Sequence, residues 1–183
     1  MVYKNSATTP LRVMFDGSMK TTSGVSLNDQ LLVGPTVHPL LNAVLIRFRK
    51  HPFVLTTDVL KMYCSSSLVP EDRDYHRFLW RDKPNDSVTD YQMTRVTFGN
   101  TSAAFLATNS VHHLTENELE LPLAAKVVKE SFYVDDGLPS VDTKEGAIKM
   151  HQELKDLFNR GEFKLHKWDS NSQEVLNSIS PEI

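Results

Sequence analysis

Residues 131–141 read Ser-Phe-Tyr-Val-Asp-Asp-Gly-Leu-Pro-Ser-Val, and the reading of this stretch decides the fold. The apolar runs SFYV and LPSV are short strand candidates. They flank an Asp-Gly dipeptide, a strong short-range hairpin signal. Asp135 and Asp136 then stand together at the hairpin tip. Taken alone, Asp-Asp-Gly is also an ordinary turn, because Asp side chains support turns. A second acid-ended strand changes the weight of that reading. Residues 53–58, FVLTTD, are β-branched and apolar and close on Asp58, 77 residues before Asp135. If these strands are neighbours in one sheet, the carboxylates converge, and converging hard oxygen ligands suit Mg²⁺.

Working outward, residues 11–16 alternate as a strand, and residues 17–36 are rich in Gly, Ser and Thr and read as a loop. Residues 39–50 read as a helix with Pro39 in its first turn and Arg47, Arg49 and Lys50 near its end. Pro70–Arg73 suggests one helical turn. Residues 76–81 and 91–97 are strand candidates joined by a polar loop. Helices are expected over 101–115 and 123–130. Asp142 and Glu145 resemble a capping box for a further helix. That helix places Ala147, Met150, His151, Leu154, Leu157 and Phe158 on one face, with Gly161 as its C-cap. FKLHKW at 163–168 is strand-like. Strands and helices mix without strict alternation, so the class is α+β with an antiparallel sheet packed on helices.

The chain has 183 residues and a formal net charge of -3, with 40% hydrophobic and 23% charged residues, which are ordinary globular values. A wholly basic, histone-like chain is excluded. One cysteine, Cys64, excludes an intrachain disulfide and a multi-cysteine zinc site. No apolar run reaches the ~20 residues of a membrane span, and the N-terminus lacks the apolar core of a signal peptide. An intracellular chain with no membrane association is the expectation. The charge is uneven: residues 1–53 carry six Lys/Arg against Asp16 and Asp29, whereas the remainder is acidic. A basic end joined to an acidic end suits a protein that handles polyanions through metal ions, and it also arises by chance.

The string Phe132-Tyr133-Val134-Asp135-Asp136 resembles the YxDD box of reverse transcriptases. Asp58-Val-Leu-Lys-Met-Tyr63 is similar to the first palm motif of that family, an Asp with an aromatic five residues on. Phe98-Gly99-Asn100-Thr101-Ser102-Ala103-Ala104 resembles the FG segment between those motifs, and residues 11–35 resemble the fingers segment. The order is right throughout. The ordered set is most similar to the polymerase of BEL/Pao-type LTR retrotransposons, through Phe15 to Ser18, Ser23 to Asp29, Arg47 to Pro52, Pro70 to Asp74, Arg77 to Trp80 and Lys167 to Ser172.

The resemblance implies reverse-transcriptase-like fingers and palm with the thumb absent. Residues 1–52 would be a partial fingers segment and connecting helix, and residues 53–183 a palm with a fingers insertion near 70–97. The implied activity is RNA-directed DNA polymerase: two-metal transfer of dNTPs onto a primer 3′-hydroxyl. Asp58 and Asp135, with Asp136 beside them, would hold two Mg²⁺ ions, Mn²⁺ being a possible substitute. Tyr63 would exclude a 2′-hydroxyl. Arg12 and Lys4 would contact the triphosphate, Phe98, Gly99 and Tyr133 would line the nucleotide site, and Lys167 would protonate pyrophosphate. Gly99 would let the backbone approach the base pair. Arg47, Arg49 and Lys50 are candidates for nucleic-acid phosphates. The implied partners are an RNA or DNA template with primer, dNTPs, and the thumb, RNase H, protease and integrase of a pol polyprotein. The implied location is a cytoplasmic element particle with a nuclear phase.

Ala104 stands where the family usually has proline, and Ser66 and Ser67 place polar groups on an expected core strand. These departures support an alternative, a non-catalytic fragment of a decayed retrotransposon polyprotein. A third reading is an unrelated Mg²⁺-dependent phosphohydrolase or receiver-like domain, which needs its acids on parallel strand ends. His112, His113 and Cys64 lack metal-ligand spacing and read as structural.

Overall fold

The computed structural model describes residues 14–116 and 118–179. A single-turn helix α1 (Leu27–Gln30) precedes α2 (Leu41–Phe48), strand β1 (Phe53–Val59) and the short helix α3 (Met62–Ser65). A 3-10 turn at Pro70–Tyr75 leads into strands β2 (Arg77–Trp80) and β3 (Thr89–Gln92). Helices α4 (Ala103–His113) and α5 (Pro122–Ser131) come next, then three short strands: β4 (Phe132–Tyr133), β5 (Asp136–Gly137) and β6 (Ser140–Val141). Helix α6 (Lys144–Arg160), strand β7 (Leu165–Ser170) and helix α7 (Gln173–Ser178) follow. Every strand pairing among the described residues is antiparallel, which fits the α+β expectation.

β1 is the organising strand. Its Leu55, Thr57 and Val59 are buried and the alternate positions are not, the period-two pattern of a sheet with one covered face. One edge of β1 pairs with β7. The other edge pairs with β5 at Thr57 and Asp58, and with β6 at Phe53 and Val54. β5 and β6 are thus one strand broken at Pro139, whose ring removes an N–H from the ladder. Its carbonyl still accepts a bond from the Leu55 amide at 3.0 Å.

Helix α6 covers the buried face. Ala147, Met150, His151, Leu154, Leu157 and Phe158 are all buried, as the helical spacing predicts. Phe158 stacks on Phe132 of β4 with ring centroids 5.3 Å apart, so the hairpin is fastened to the helix through aromatic packing. Glu153 is an unexpected member of this face. Its buried Oε2 accepts from the amides of Leu123 and Ala124 at 3.1 and 3.2 Å. Those are first-turn amides of α5, whose N-cap residue Leu121 offers no side-chain bond.

Several local expectations need correction. The Gly/Ser/Thr-rich stretch contains α1, held by a capping box between Ser26 and Asp29. Residues 14–16 form no strand, and the rest of the expected 11–16 strand lies outside the described residues. The cap of α6 is Thr143, bonded to the Gly146 amide, and not Asp142. Asp142 instead meets His51 Nδ1 at 2.5 Å. Gly161 is the C-cap but has φ -94, and Glu162 takes the left-handed conformation at φ 60. Glycine at 161 answers to packing: a Cβ there would sit 2.3 Å from Leu114 Cδ2. Ser66 and Ser67 lie after α3 and not on a core strand. The Ser66 hydroxyl is buried without a partner, whereas Ser67 is exposed and accepts from Arg95.

The second sheet is a ribbon, β2 with β3, in the register Phe78 to Tyr91. The second strand starts at Thr89, inside the expected loop, and residues 93–97 keep only a bridge from Arg95 to Ser67. A second, small buried cluster joins Leu68, Val96 and Ala103, with Tyr63, Met93 and Leu106 packed against it. The segment around Phe15 docks beside it through Asn28. The Asn28 side chain donates to Gly99 O and Ser18 Oγ and accepts from the Thr101 amide, the last at 2.8 Å.

Candidate functional site

Three acids meet at one end of β1. Asp58 and Asp136 are Cα partners across the β1–β5 pairing, and the Val59 amide donates to Asp135 O at 2.9 Å. The convergence expected from the two strand ends is therefore present in the backbone. The hairpin tip differs in detail. Its two-residue turn is Val134-Asp135, and Asp136-Gly137 is already strand. Val134 carries the positive φ, 58°, a conformation that a β-branched residue rarely adopts and that is stored at functional sites.

The electrostatics show the three acids as neighbours. The Asp136 carboxyl is raised above its ordinary value by burial first, then by the charges of Asp135 and Asp58, with Lys167 opposing. Among the described residues, however, no group of three His, Cys, Asp or Glu side chains is arranged to hold a metal ion. Asp58 is already engaged. His166 Nε2 meets its Oδ1 at 2.6 Å, and Lys167 Nζ donates to its Oδ2 at 3.0 Å. Both carboxylate oxygens are engaged by cation-capable side chains of β7.

Lys167 was expected in the site; His166 was not. The sequence hides it because neighbours on a strand normally face opposite ways. Here the register slips: Asp58 faces His166 and Thr56 faces Asp169, so Lys167 and Trp168 together oppose Thr57. This is a β-bulge, with Lys167 in the left-handed region at φ 53.

Tyr63 reaches the same neighbourhood from α3. Lys61 at φ 50 turns the chain off the end of β1 and into this helix. The Tyr63 ring lies on Phe98, with centroids 4.5 Å apart and planes 38° apart. Its hydroxyl is raised above the ordinary tyrosine value by burial and then by the charge of Asp135, so Tyr63 and Phe98 form an aromatic wall near the acids. Phe98 itself is exposed. Gly99 has φ 107, and a Cβ there would lie 1.7 Å from the Phe15 carbonyl oxygen. The close backbone approach expected at Gly99 is thus made by the chain's own Phe15.

Tyr133 packs edge-on against His38, centroids 4.7 Å apart. Lys4 and Arg12 lie outside the described residues. Arg47 donates to Glu130 O and its own carbonyl accepts from Ser140 Oγ, which makes it a tie between α2, α5 and β6. With Lys50 it borders a cleft of about 290 Å³ near the Val141 pairing, at the opposite end of β1 from Asp58. His113 pairs with Glu116, and the half-buried His112 is lowered in pKa by burial, then by Lys129 and His38. Cys64 is a free, exposed thiol. No helix among the described residues is long and apolar enough to cross a membrane.

No protein-family model matches the chain, and no curated protein sequence matches it. Among solved structures it is similar to the foamy viral protease-reverse transcriptase dRH in complex with double-stranded DNA. The TM-score is 0.57, with 19% identity over 74% of this chain. The chain spans about a fifth of that protein, 21% of its length. At this identity the likeness is one of fold, and that fold is reverse-transcriptase-like.

Proposed function

We propose that the chain is the fingers–palm portion of an RNA-directed DNA polymerase of the BEL/Pao type. Residues 1–52 then belong to the fingers, and residues 53–183 form the palm with a fingers insertion near 70–97. The observation that carries this reading is the pairing of Asp58 with Asp136, beside the Asp135 turn, in a reverse-transcriptase-like fold. The antiparallel pairing also counts against a receiver-like domain, which needs parallel strand ends.

The donor set fits a divalent cation. Three carboxylates are hard oxygen donors by their chemistry, although their side chains are not gathered around one point among the described residues, and the charges of Asp135 and Asp58 add to burial in raising the Asp136 carboxyl. Asp58 and Asp135 would hold two Mg²⁺ ions, or Mn²⁺ in their place, with Asp136 beside them. When bound, the ions activate a primer 3′-hydroxyl and stabilise charge on the phosphates of a dNTP. The rest falls to the chain. Tyr63 walls off the space of a 2′-hydroxyl, with Phe98, Gly99 and Tyr133 around the nucleotide. Lys4 and Arg12 contact the triphosphate. Lys167, beside Asp58, offers a proton to pyrophosphate. The partners are a primed RNA or DNA template and the remainder of a pol polyprotein, in a cytoplasmic particle.

Primer extension on a primed RNA template tests this reading. Mg²⁺-dependent dNTP incorporation is expected. Asp135→Asn should lower it by at least about 100-fold, because metal-held charge stabilisation is worth several kcal/mol. Full rate in that variant would sink the assignment. A second reading, the non-catalytic fragment, draws on the unpartnered buried Ser66 hydroxyl. Tight, salt-dependent binding of a primer–template duplex would count against it.

A further inference from the structure

The bulge in β7 has a chemical consequence at Asp58. In a regular antiparallel ladder only one of His166 and Lys167 could face the sheet side that carries Asp58. Two residues of β7 oppose one of β1, and Lys167 adopts φ 53, so both side chains reach the same carboxylate. Such a bulge favours glycine at its left-handed position, and a lysine there is strained. The strained residue is one of the two that bond to Asp58. The imidazole contact follows from register, since His166 is the Cα partner of Asp58. Facing a carboxylate oxygen, Nε2 acts as the donor.

We propose that His166 and Lys167 form a bulge-built clamp that occupies both oxygens of Asp58 and competes with the divalent cation for them. His166 is thereby a positioning residue that acts through Asp58. The inference rests on the reading of Asp58 as a metal ligand. Without the ion, the clamp compensates a carboxylate that otherwise faces the like charges of Asp135 and Asp136. A divalent ion at Asp58 must share that carboxylate with the imidazole and the ammonium or displace them, and displaced groups stay tethered next to the ligands by the same bulge. The clamp therefore weakens intrinsic metal affinity and delivers two donors to the site at the moment of loading.

The test is direct Mn²⁺ binding by the intact chain, read by loss of the free-ion electron paramagnetic resonance signal and needing no catalysis. Wild type is compared with Asp58→Asn, His166→Ala and Lys167→Gly. Lys167→Gly removes the amine while suiting the left-handed backbone, so the bulge is kept and folding is favoured. The expected result is Asp58-dependent binding in wild type and about threefold to tenfold tighter binding in both clamp variants, the scale of one released hydrogen bond. A merely structural role for His166 or Lys167 moves affinity the other way, because a loosened sheet scatters the ligands. Equal or weaker binding in both variants, with Asp58-dependent binding in wild type, overturns the clamp and leaves the polymerase reading standing. Absence of Asp58-dependent binding in every chain overturns both.

Discussion

The two sheets of this molecule are stabilised in different ways. The sheet around β1 lies on α6 over a continuous core that includes Leu55, Val59, Phe132, Leu154 and Phe158, each almost fully buried. The ribbon of β2 and β3 contributes no residue to either buried cluster and exposes most of its own positions. It is held by cross-strand pairs instead: Phe78 stacks on Tyr91 at 5.6 Å, and Arg77 bridges Asp74 and Asp90. Exposed ion pairs contribute little. The three acids all stand on the well-buried sheet, where backbone position is most tightly determined. The ribbon is the part freer to yield.

The largest break in this contrast comes from the core. Phe158→Ala should destabilise the chain by about 3–5 kcal/mol, seen as a lowered urea midpoint. Next is Glu153→Ala, which strands two amides at the start of α5 and should cost about 1–3 kcal/mol, with Glu153→Gln milder because it keeps an acceptor. Gly99→Ala strikes the seam between the regions. It should cost about 1–2 kcal/mol and raise amide exchange near Phe15 before it does so in β1. Tyr91→Ala removes one ring of the ribbon and should cost about 0.5–1.5 kcal/mol, with faster exchange confined to residues 76–92. Equal loosening of β1 in that variant would erase the distinction.

The smallest expected effect has the opposite sign. Asp136 titrates above its ordinary value in the fold, so the native state holds its proton more tightly than the unfolded chain does. Its contribution therefore falls as pH rises from the usual carboxylate value through the raised one. In chelator, Asp136→Asn should be more stable than wild type above that window, by a few tenths of a kcal/mol after solvent screening. The difference should vanish below it. Thermal unfolding across the acidic range measures this.

β1 and α6 were legible because their apolar periods, two and 3.6, match the burial of one face each. The converging acids followed from strand ends alone. The exceptions share a cause: a local rule was overridden by a contact from elsewhere in the chain. The turn centre moved to Val134, against turn chemistry, because β5 takes Asp136 into register with Asp58. Asp142 lost the capping role to Thr143 because His51 engages it. His166 is hidden in the sequence because a one-residue bulge leaves no mark on an alternating pattern. Gly161 closes α6 as its C-cap, and what requires glycine there is Leu114 and not a left-handed backbone.

Asn28 sets an order of events during synthesis. Its side-chain partners include Gly99 and Thr101, 71 and 73 residues further along. At a translation rate of about 5–20 residues per second, that is roughly 4–15 s during which Asn28 lacks these two distant partners. The segment around Asn28 is therefore made well before the turn that completes its contacts, and it must stay uncommitted until the Phe98-Gly99 turn exists.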